Sequence, residues 1–534
     1  MTFAFTFSST RAQTPAGRKP KKNITAPITA NTTWSCDTLY FLQGYIYVQN
    51  NATLTIMPGT TIVGDTTNKG SLIITRGAKM NAIGTATCPI VFTSSRQEGR
   101  RKRGDWGGVI LLGKSSLNTP TGEANIEGIP PNPNTIYGGG LNPDVHDNSG
   151  TLKYVRIEFA GVALSPNNEI NGLTFGAIGD GTTIDYIQVS YANDDSYEWF
   201  GGTVNCKHII AFRGIDDDFD TDNGFSGKVQ FGMGLRDPKV ADISGSKAFE
   251  SDNDATGSSN LPQTKAIFCN ITATGGKDTT KNSLFVAGVH IRRNSHMYLY
   301  NSIVMGYPEG LLIDAMSTEN NVLADTLVAD NFITCTDASK YVVTTPFNAS
   351  VQNLLLSANT YYPGNKKVKL TDPYTLTAPD YRPKHTSPAL GASDFGHSAL
   401  NDPFFDVVPY VGAFDETNDW TAGWANWDPV NAIYKNTCCS GLAKEVVSPI
   451  ESTDVSIYPN PSHGSFKLNI TGFTNTVYIK VTNLSGFVVY NSKQQITSKN
   501  TSANINIINA KTGFYMVNVS DGNKTVTKKI NVIQ

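Results

Sequence analysis

The stretch Ile184-Asp185-Tyr186-Ile187-Gln188-Val189, continuing through Asn193-Asp194-Asp195-Ser196-Tyr197-Glu198-Trp199-Phe200-Gly201-Gly202, returns 22 residues later as Cys206-Lys207-His208-Ile209-Ile210-Ala211, then Ile215-Asp216-Asp217-Asp218-Phe219-Asp220-Thr221-Asp222-Asn223-Gly224. The overlay puts Ile187 on Ile209, Asp194 on Asp216, Asp195 on Asp217, Tyr197 on Phe219, Glu198 on Asp220 and Gly202 on Gly224. A third copy follows 30 residues on, with Phe249-Glu250-Ser251-Asp252 lying on Phe219-Asp220-Thr221-Asp222. A repeat of this size, with loop insertions, is what one turn of a parallel β-helix needs: three short strands with bends between them. A sandwich of hairpins would not stack equivalent residues.

From about Ile28 to Asp314 the chain keeps returning to short β-branched runs ended by Gly, Asn or Asp, such as Ser71-Leu72-Ile73-Ile74-Thr75 and Tyr154-Val155-Arg156-Ile157-Glu158. The front, Gly77-Ala78-Lys79-Met80-Asn81-Ala82-Ile83-Gly84-Thr85 with Pro89-Ile90-Val91-Phe92-Thr93-Ser94, resembles the first rungs of secreted right-handed β-helices. The expected fold is therefore all-β: a right-handed parallel β-helix over residues 25–400, followed by a small immunoglobulin-like β-sandwich. Thr377-Ala378-Pro379-Asp380-Tyr381-Arg382-Pro383 reads as closing turns. The aromatic region 401–445, with Trp420, Trp424 and Trp427, reads as a cap over the open end of the coil, or alternatively as a platform on which sugars stack.

Strand alternation sorts the acids of the repeat. If Tyr197, Phe219 and Phe249 stack inward, then Glu198, Asp220 and Glu250 point outward, as do Asp222 and Asp252. Adjacent rungs lie about 4.8 Å apart, so like charges in one column repel by roughly 3 to 4 kcal/mol per pair at an effective dielectric near 20. The remedies are a bound cation, a raised carboxyl pKa, or arginines such as Arg213, Arg236, Arg292 and Arg293 reaching in. Ca²⁺ suits the site chemically, since it takes six to eight oxygens in flexible geometry. The expected metal-binding set is Glu198, Asp216, Asp217, Asp218, Asp220, Asp222, Glu250 and Asp252. Solvated acids on turn tips and a catalytic carboxylate pair are the competing readings.

The last eighty or so residues carry a different texture. They run through Val455-Ser456-Ile457-Tyr458-Pro459-Asn460-Pro461, Gly464-Ser465-Phe466-Lys467-Leu468, Gly513-Phe514-Tyr515-Met516-Val517 and Thr527-Lys528-Lys529-Ile530-Asn531-Val532. These short alternating strands resemble the C-terminal sorting domain of type IX secretion cargo in Bacteroidota. The resemblance implies export to the outer surface or beyond through the type IX machinery, and it covers residues 454–534. Residues 446–453 read as a linker, and residues 1–24 as the remnant of a signal peptide with its leader.

Bulk composition fits an exported β-rich protein. There are 43 basic and 45 acidic residues, so nucleic acid is not an expected partner, and Gly reaches 48 of 534 residues. No apolar run is long enough to span a bilayer. Seven cysteines are too sparse for a disulfide framework; Cys206 and Cys269 read as buried thiols, whereas Cys438 and Cys439 are each free to pair elsewhere in an oxidising exterior. Arg100-Arg101-Lys102-Arg103 reads as a solvated loop, with an acidic-glycan contact or a processing site as alternatives.

Two functions follow from these features. One is a surface protein that binds glycans or adheres, with acidic rungs held by Ca²⁺. The other is a polysaccharide hydrolase using paired carboxylates on adjacent rungs, or a lyase drawing its base from His208, His290, Arg292 or Lys207. The motifs of pectin-cleaving families are not recognisable.

Overall fold

The computed structural model describes residues 19–533 except 166–167, 278–281, 325–328, 332, 336–337, 435–453, 474–475, 484–486, 497–499 and 522–524. Its chain divides into two compact units with a boundary at Gly441–Leu442. The first is a coil of parallel strands arranged as three faces. One face stacks Thr32–Trp34, Thr53–Ile56 and Lys79–Ile83, then continues into the first halves of Gly150–Glu158, Thr183–Ser190, Asn205–Phe212, Lys228–Leu235 and Ile267–Thr274. The second face stacks Lys21–Ile24, Leu39–Leu42, Thr61–Gly64 and Ile90–Ser94, then takes the second halves of the same long strands. The third is a ten-stranded sheet running from Tyr45–Val48 to Val342–Thr345, through Leu173–Gly176, Tyr197–Phe200, Phe219–Asp222, Phe249–Ser251 and Ala287–Ile291.

The register agrees with the repeat read from the sequence. Ile187 pairs with Ile209, Tyr197 with Phe219 and Glu198 with Asp220; Phe219 in turn pairs with Phe249 and Asp220 with Glu250. Tyr197, Phe219 and Phe249 are fully buried, with ring centroids 5.8 and 5.2 Å apart along the column. Trp199 adds a second stacked series with Phe175 and Phe225. Inside the coil, like on like is favourable because identical apolar shapes bury one another.

Where the first face bends into the second, Tyr154, Tyr186, His208, Phe231, Asn270 and Asn301 all hold positive φ, between 48° and 62°. This left-handed conformation is unfavourable for aromatic side chains. Stacking offsets it: Tyr154, Tyr186, His208 and Phe231 follow at centroid spacings of 4.5, 4.3 and 5.1 Å.

Three expectations about the ends need correction. The first strand starts at Lys21, inside the leader expected to reach residue 24; residues 1–18 lie outside the described part. Coil strands stop at Thr360–Tyr362 rather than near residue 400. After that, Pro373, Pro379, Pro383 and Pro388 remove ladder donors, and Leu370–Asp372 with Asp380–Pro383 form an antiparallel pair instead of closing rungs.

The aromatic region also lies elsewhere. Residues 392–434 run back along the side of the coil, over the bend between the first two faces, instead of across its end. Asn301 donates to the Asp394 carbonyl, Asn270 to Tyr410, Gln230 to Asp406, Gln188 to Asn426, Arg156 to Trp424 and Arg101 to Pro429. Gln188 and Gln230 also accept from the tail backbone at Asn426 and Asp406. Trp420 and Trp424 cover Tyr186 edge-on, and Trp424, at 1% exposure, is closed to a stacking sugar. Cys36 and Cys88 are disulfide-bonded, as an oxidising compartment allows. Cys206 and Cys269 are buried free thiols, and Cys438 and Cys439 lie outside the described residues.

The second unit holds two antiparallel sheets, one of three strands and one of four. Val455, Phe466, Leu468 and Ile470 from one meet Val477, Ile479, Val517 and Ile530 from the other in a single apolar cluster. The expected linker, 446–453, lies outside the described residues.

Removing a ring from the central column leaves a cavity between two rungs, so Phe219→Ala is expected to destabilise the coil by about 3 to 5 kcal/mol. Denaturant unfolding followed by tryptophan fluorescence checks this; a midpoint equal to wild type would contradict the column.

Candidate functional site

The third face presents two outward columns. The first carries Glu198, Asp220, Glu250 and His290 on successive rungs; the second carries Asp222, Asp252 and Arg292. The acids point away from the coil interior, as alternation requires, yet they are not open to solvent. Glu198 is only 7% exposed, and Glu250 and Asp252 are buried. The cover comes from the long insertion between Val109–Leu112 and Gly150–Glu158. Its Leu117, Ile126, Ile129 and Tyr137 form an apolar cluster with Ile110, Leu112 and Phe200 of the outer face. Asn118 ties the cover to the Asn253 carbonyl at 2.6 Å.

The turn before each strand adds a second acidic series. Asn171 accepts from the Asp195 N–H, the Asp195 carboxylate from the Asp217 N–H at 2.8 Å, and the Asp217 carboxylate from the Lys247 N–H at 2.7 Å. Asp195 and Asp217 therefore have a structural duty: each caps the next rung's backbone, which would otherwise be buried without a partner.

The two ends of the columns differ electrostatically. At the Glu250 end, cations gather. Lys247 reaches Glu250 at 2.6 Å and Asp217 at 3.4 Å; Arg292 reaches Glu250 at 2.5 Å and Asp252 at 2.8 Å; Arg293 adds Asp252 at 2.7 Å. Burial opposes ionisation of Glu250, but His290, Lys247 and Arg292 outweigh it and hold its carboxyl down at about 2. Two of the four arginines expected to reach in, Arg292 and Arg293, do so. Arg213 pairs with Asp237, and Arg236 makes a fully buried pair with Asp218 at 3.1 Å.

At the Glu198 end no ion pair to Asp195, Glu198 or Asp220 forms among the described residues. Oxygens of Asp195, Glu198 and Asp220 lie within 4.8 Å of one another, as do those of Asp194, Asp195 and Asp216, and those of Asp217, Asp220 and Glu250. Glu198 accepts from the Asn171 amide, while Asp220 Oδ1 is buried without a hydrogen-bond partner. Burial first, and neighbouring acids second, push the carboxyls of Asp194, Asp195 and Asp220 well above the ordinary range; Glu198 is raised by burial and by Glu127. Glu127, on the covering insertion, is itself pushed up to about 7 by burial and Glu169. Asp222 reaches about 7 through burial and Asp252.

Two family models match this chain. One, described as a pectate-lyase like beta helix domain, covers residues 26–371. The chain belongs to that β-helix family. The other, a secretion system C-terminal sorting domain, covers residues 456–533 and marks this member as type IX cargo of Bacteroidota, exported to the cell surface or beyond. No helix among the described residues is long and apolar enough to cross a membrane. No curated protein matches. Among solved structures, the full-length tailspike protein 2 of Escherichia coli O157:H7 bacteriophage CAB120 is similar over 92% of this chain and 64% of its own, at 10% identity and a TM-score of 0.22.

Of the eight residues expected to bind metal in this β-helix protein, the structure clusters Glu198, Asp217, Asp220 and Glu250, with Asp216 at the margin beside Asp194 and Asp195. Asp252 is occupied by Arg292 and Arg293, Asp222 sits two residues beyond Asp220 on its strand, and Asp218 turns to Arg236. Sequence reasoning missed Glu127, Glu169 and Asn171, which insertions bring in, and Lys247, three residues before Glu250. Lys247 carried a signal in the repeat itself, since the 30-residue shift that lays Phe249 on Phe219 also lays Lys247 on the acid Asp217.

A carboxyl that keeps its proton to about pH 7 when folded, but releases it near pH 4 when unfolded, stabilises the fold in acid; that contribution is lost as pH rises between those values. In chelator, the melting temperature is therefore expected to fall from pH 5 to pH 8, and Asp222→Asn to flatten part of the fall. Scanning calorimetry across that range checks it; a flat or rising profile would contradict the burial of these acids.

Proposed function

We propose that this is an exported glycan-binding protein of the cell surface or its surroundings, whose acidic column is cross-bridged by Ca²⁺. The carrying observation is the group Asp195, Glu198 and Asp220, with mutual oxygens within 4.8 Å, no ion pair to any of the three among the described residues, and Asp220 Oδ1 buried and unpartnered. Three ionised carboxylates in that space repel strongly. A divalent cation taking oxygens from Asp195, Glu198 and Asp220 would relieve the repulsion, and Ca²⁺ accepts such a flexible oxygen set. The family's pectate-lyase-like description and the export signal support a glycan as the ligand.

Binding is favoured over cleavage by the cover. Glycosidic cleavage needs two carboxyls flanking a bound sugar linkage. Here Glu198 lies beneath the insertion that carries Tyr137, and at Glu250 the acids are engaged by Lys247 and Arg292.

The test is a glycan panel probed with the full chain in millimolar Ca²⁺ and in chelator, read for retention and for released reducing ends. Retention without release, weakened by chelator, is expected. Turnover of any glycan that Asp220→Asn abolishes would replace binding by catalysis.

A further inference from the structure

A second site lies far from the acidic columns in sequence, on the outer side of the second face. Four successive strands, Lys21–Ile24, Leu39–Leu42, Thr61–Gly64 and Ile90–Ser94, form its floor, with Leu39, Phe41, Thr61, Val63 and Thr93 facing out. At about 4.8 Å per rung the floor runs roughly 14 Å along the coil axis. The groove above it encloses about 350 Å³.

Its rim is cationic. Lys19, Lys21, Arg96 and Arg101 line it, and none of the described lining residues is acidic. Lys21 rests its ammonium 3.5 Å from the centroid of Phe41 and, like Lys19, makes no ion pair among the described residues. Arg96 holds Asp105 at 2.6 Å and keeps half of its side chain in solvent. Arg101 was expected in a solvated loop; it is instead 7% exposed. It spends one Nη on the Pro429 carbonyl, stands 5.1 Å from the ring of Tyr434, and has a buried Nε with no hydrogen-bond partner. Tyr434 closes this wall of the groove while its hydroxyl donates to Glu158.

An apolar, aromatic floor beside hydroxyls suits the faces of sugar rings. Ammonium groups with no ion-pair partner, beside guanidinium groups and held against low-dielectric walls, suit anions, and Arg adds planar recognition of carboxylate or sulfate. Burial pulls the Lys19 ammonium below its usual range, against the weaker attraction of Asp37, so an arriving anion would stabilise its charged form. Length, rings and charge together describe an extended acidic saccharide better than a small free anion.

We propose that this groove binds an acidic glycan chain, with anionic groups held by Lys19, Lys21, Arg96 and Arg101 and a sugar ring packed on Phe41. The inference rests on the glycan-binding reading above and adds its site and charge class. It also separates two tasks: the acidic columns hold the coil together, and the basic groove meets the ligand.

The test measures full-length protein by titration calorimetry against an oligogalacturonate, a sulfated oligosaccharide and a neutral xylo-oligosaccharide at two salt concentrations. Salt-sensitive binding of either acidic probe is expected, and which one binds identifies the anion. Lys19→Gln with Lys21→Gln, and separately Gln97→Glu at the exposed rim, should each weaken it by about tenfold or more with melting temperature unchanged. Binding of the neutral probe alone overturns the groove assignment while leaving glycan binding standing. Binding of no probe overturns both. Acidic-probe affinity equal in all variants places the ligand elsewhere and overturns the groove.

Discussion

Stacking in register is the constraint from which the rest of this structure follows. A parallel coil sets each residue directly above its equivalent, about 4.8 Å away, and the consequence depends on chemistry and side. Inward, Tyr197, Phe219 and Phe249 gain ring contact from the coincidence. Outward, Glu198, Asp220 and Glu250 suffer from the same coincidence, since a column of carboxylates under cover has neither distance nor water to screen it. The molecule answers differently at the two ends of that column. Lys247, His290 and Arg292 surround Glu250; around Glu198 and Asp220 acids gather, the Asn171 amide donates to Glu198, and no ion pair to either acid forms among the described residues.

The same repetition explains the docking of the tail. A column of left-handed residues at one bend aligns the neighbouring amides of Gln188, Gln230, Asn270 and Asn301 along the coil. Buried amides need partners on both their donor and acceptor atoms. Residues 392–434 supply backbone groups to satisfy them, so a segment with almost no regular structure of its own is held in place. Its last described residue, Tyr434, forms a wall of the basic groove.

Much of this was legible in the chain because repetition leaves a periodic trace. The 22-residue shift that laid Tyr197 on Phe219 and Glu198 on Asp220 names real neighbours, and alternation sorted inward rings from outward acids correctly. The cover was not legible: residues 113–149 carry no period, and which face an insertion folds over depends on contacts such as Leu117 against Gly201 that no local pattern encodes. Asp218 escaped for a related reason. Its run of three aspartates looks uniform, but the bend before Phe219 turns one acid inward to Arg236 and leaves Asp217 capping a backbone N–H. The tryptophans of the tail were misplaced because an aromatic patch after a solenoid reads as an end cap, whereas the aligned amides that fix it along the side lie up to 238 residues away.

The central claim is that the uncompensated end of the acidic column is a divalent-cation site. Calorimetric titration of the metal-stripped full chain with Ca²⁺ at pH 7.5, in wild type and in Glu198→Gln with Asp220→Asn, tests it most directly. The account predicts saturable uptake in wild type that the double variant loses while remaining folded. No uptake in wild type, or uptake unchanged in the variant, would contradict it and leave protonation of the buried carboxyls as what holds the column together.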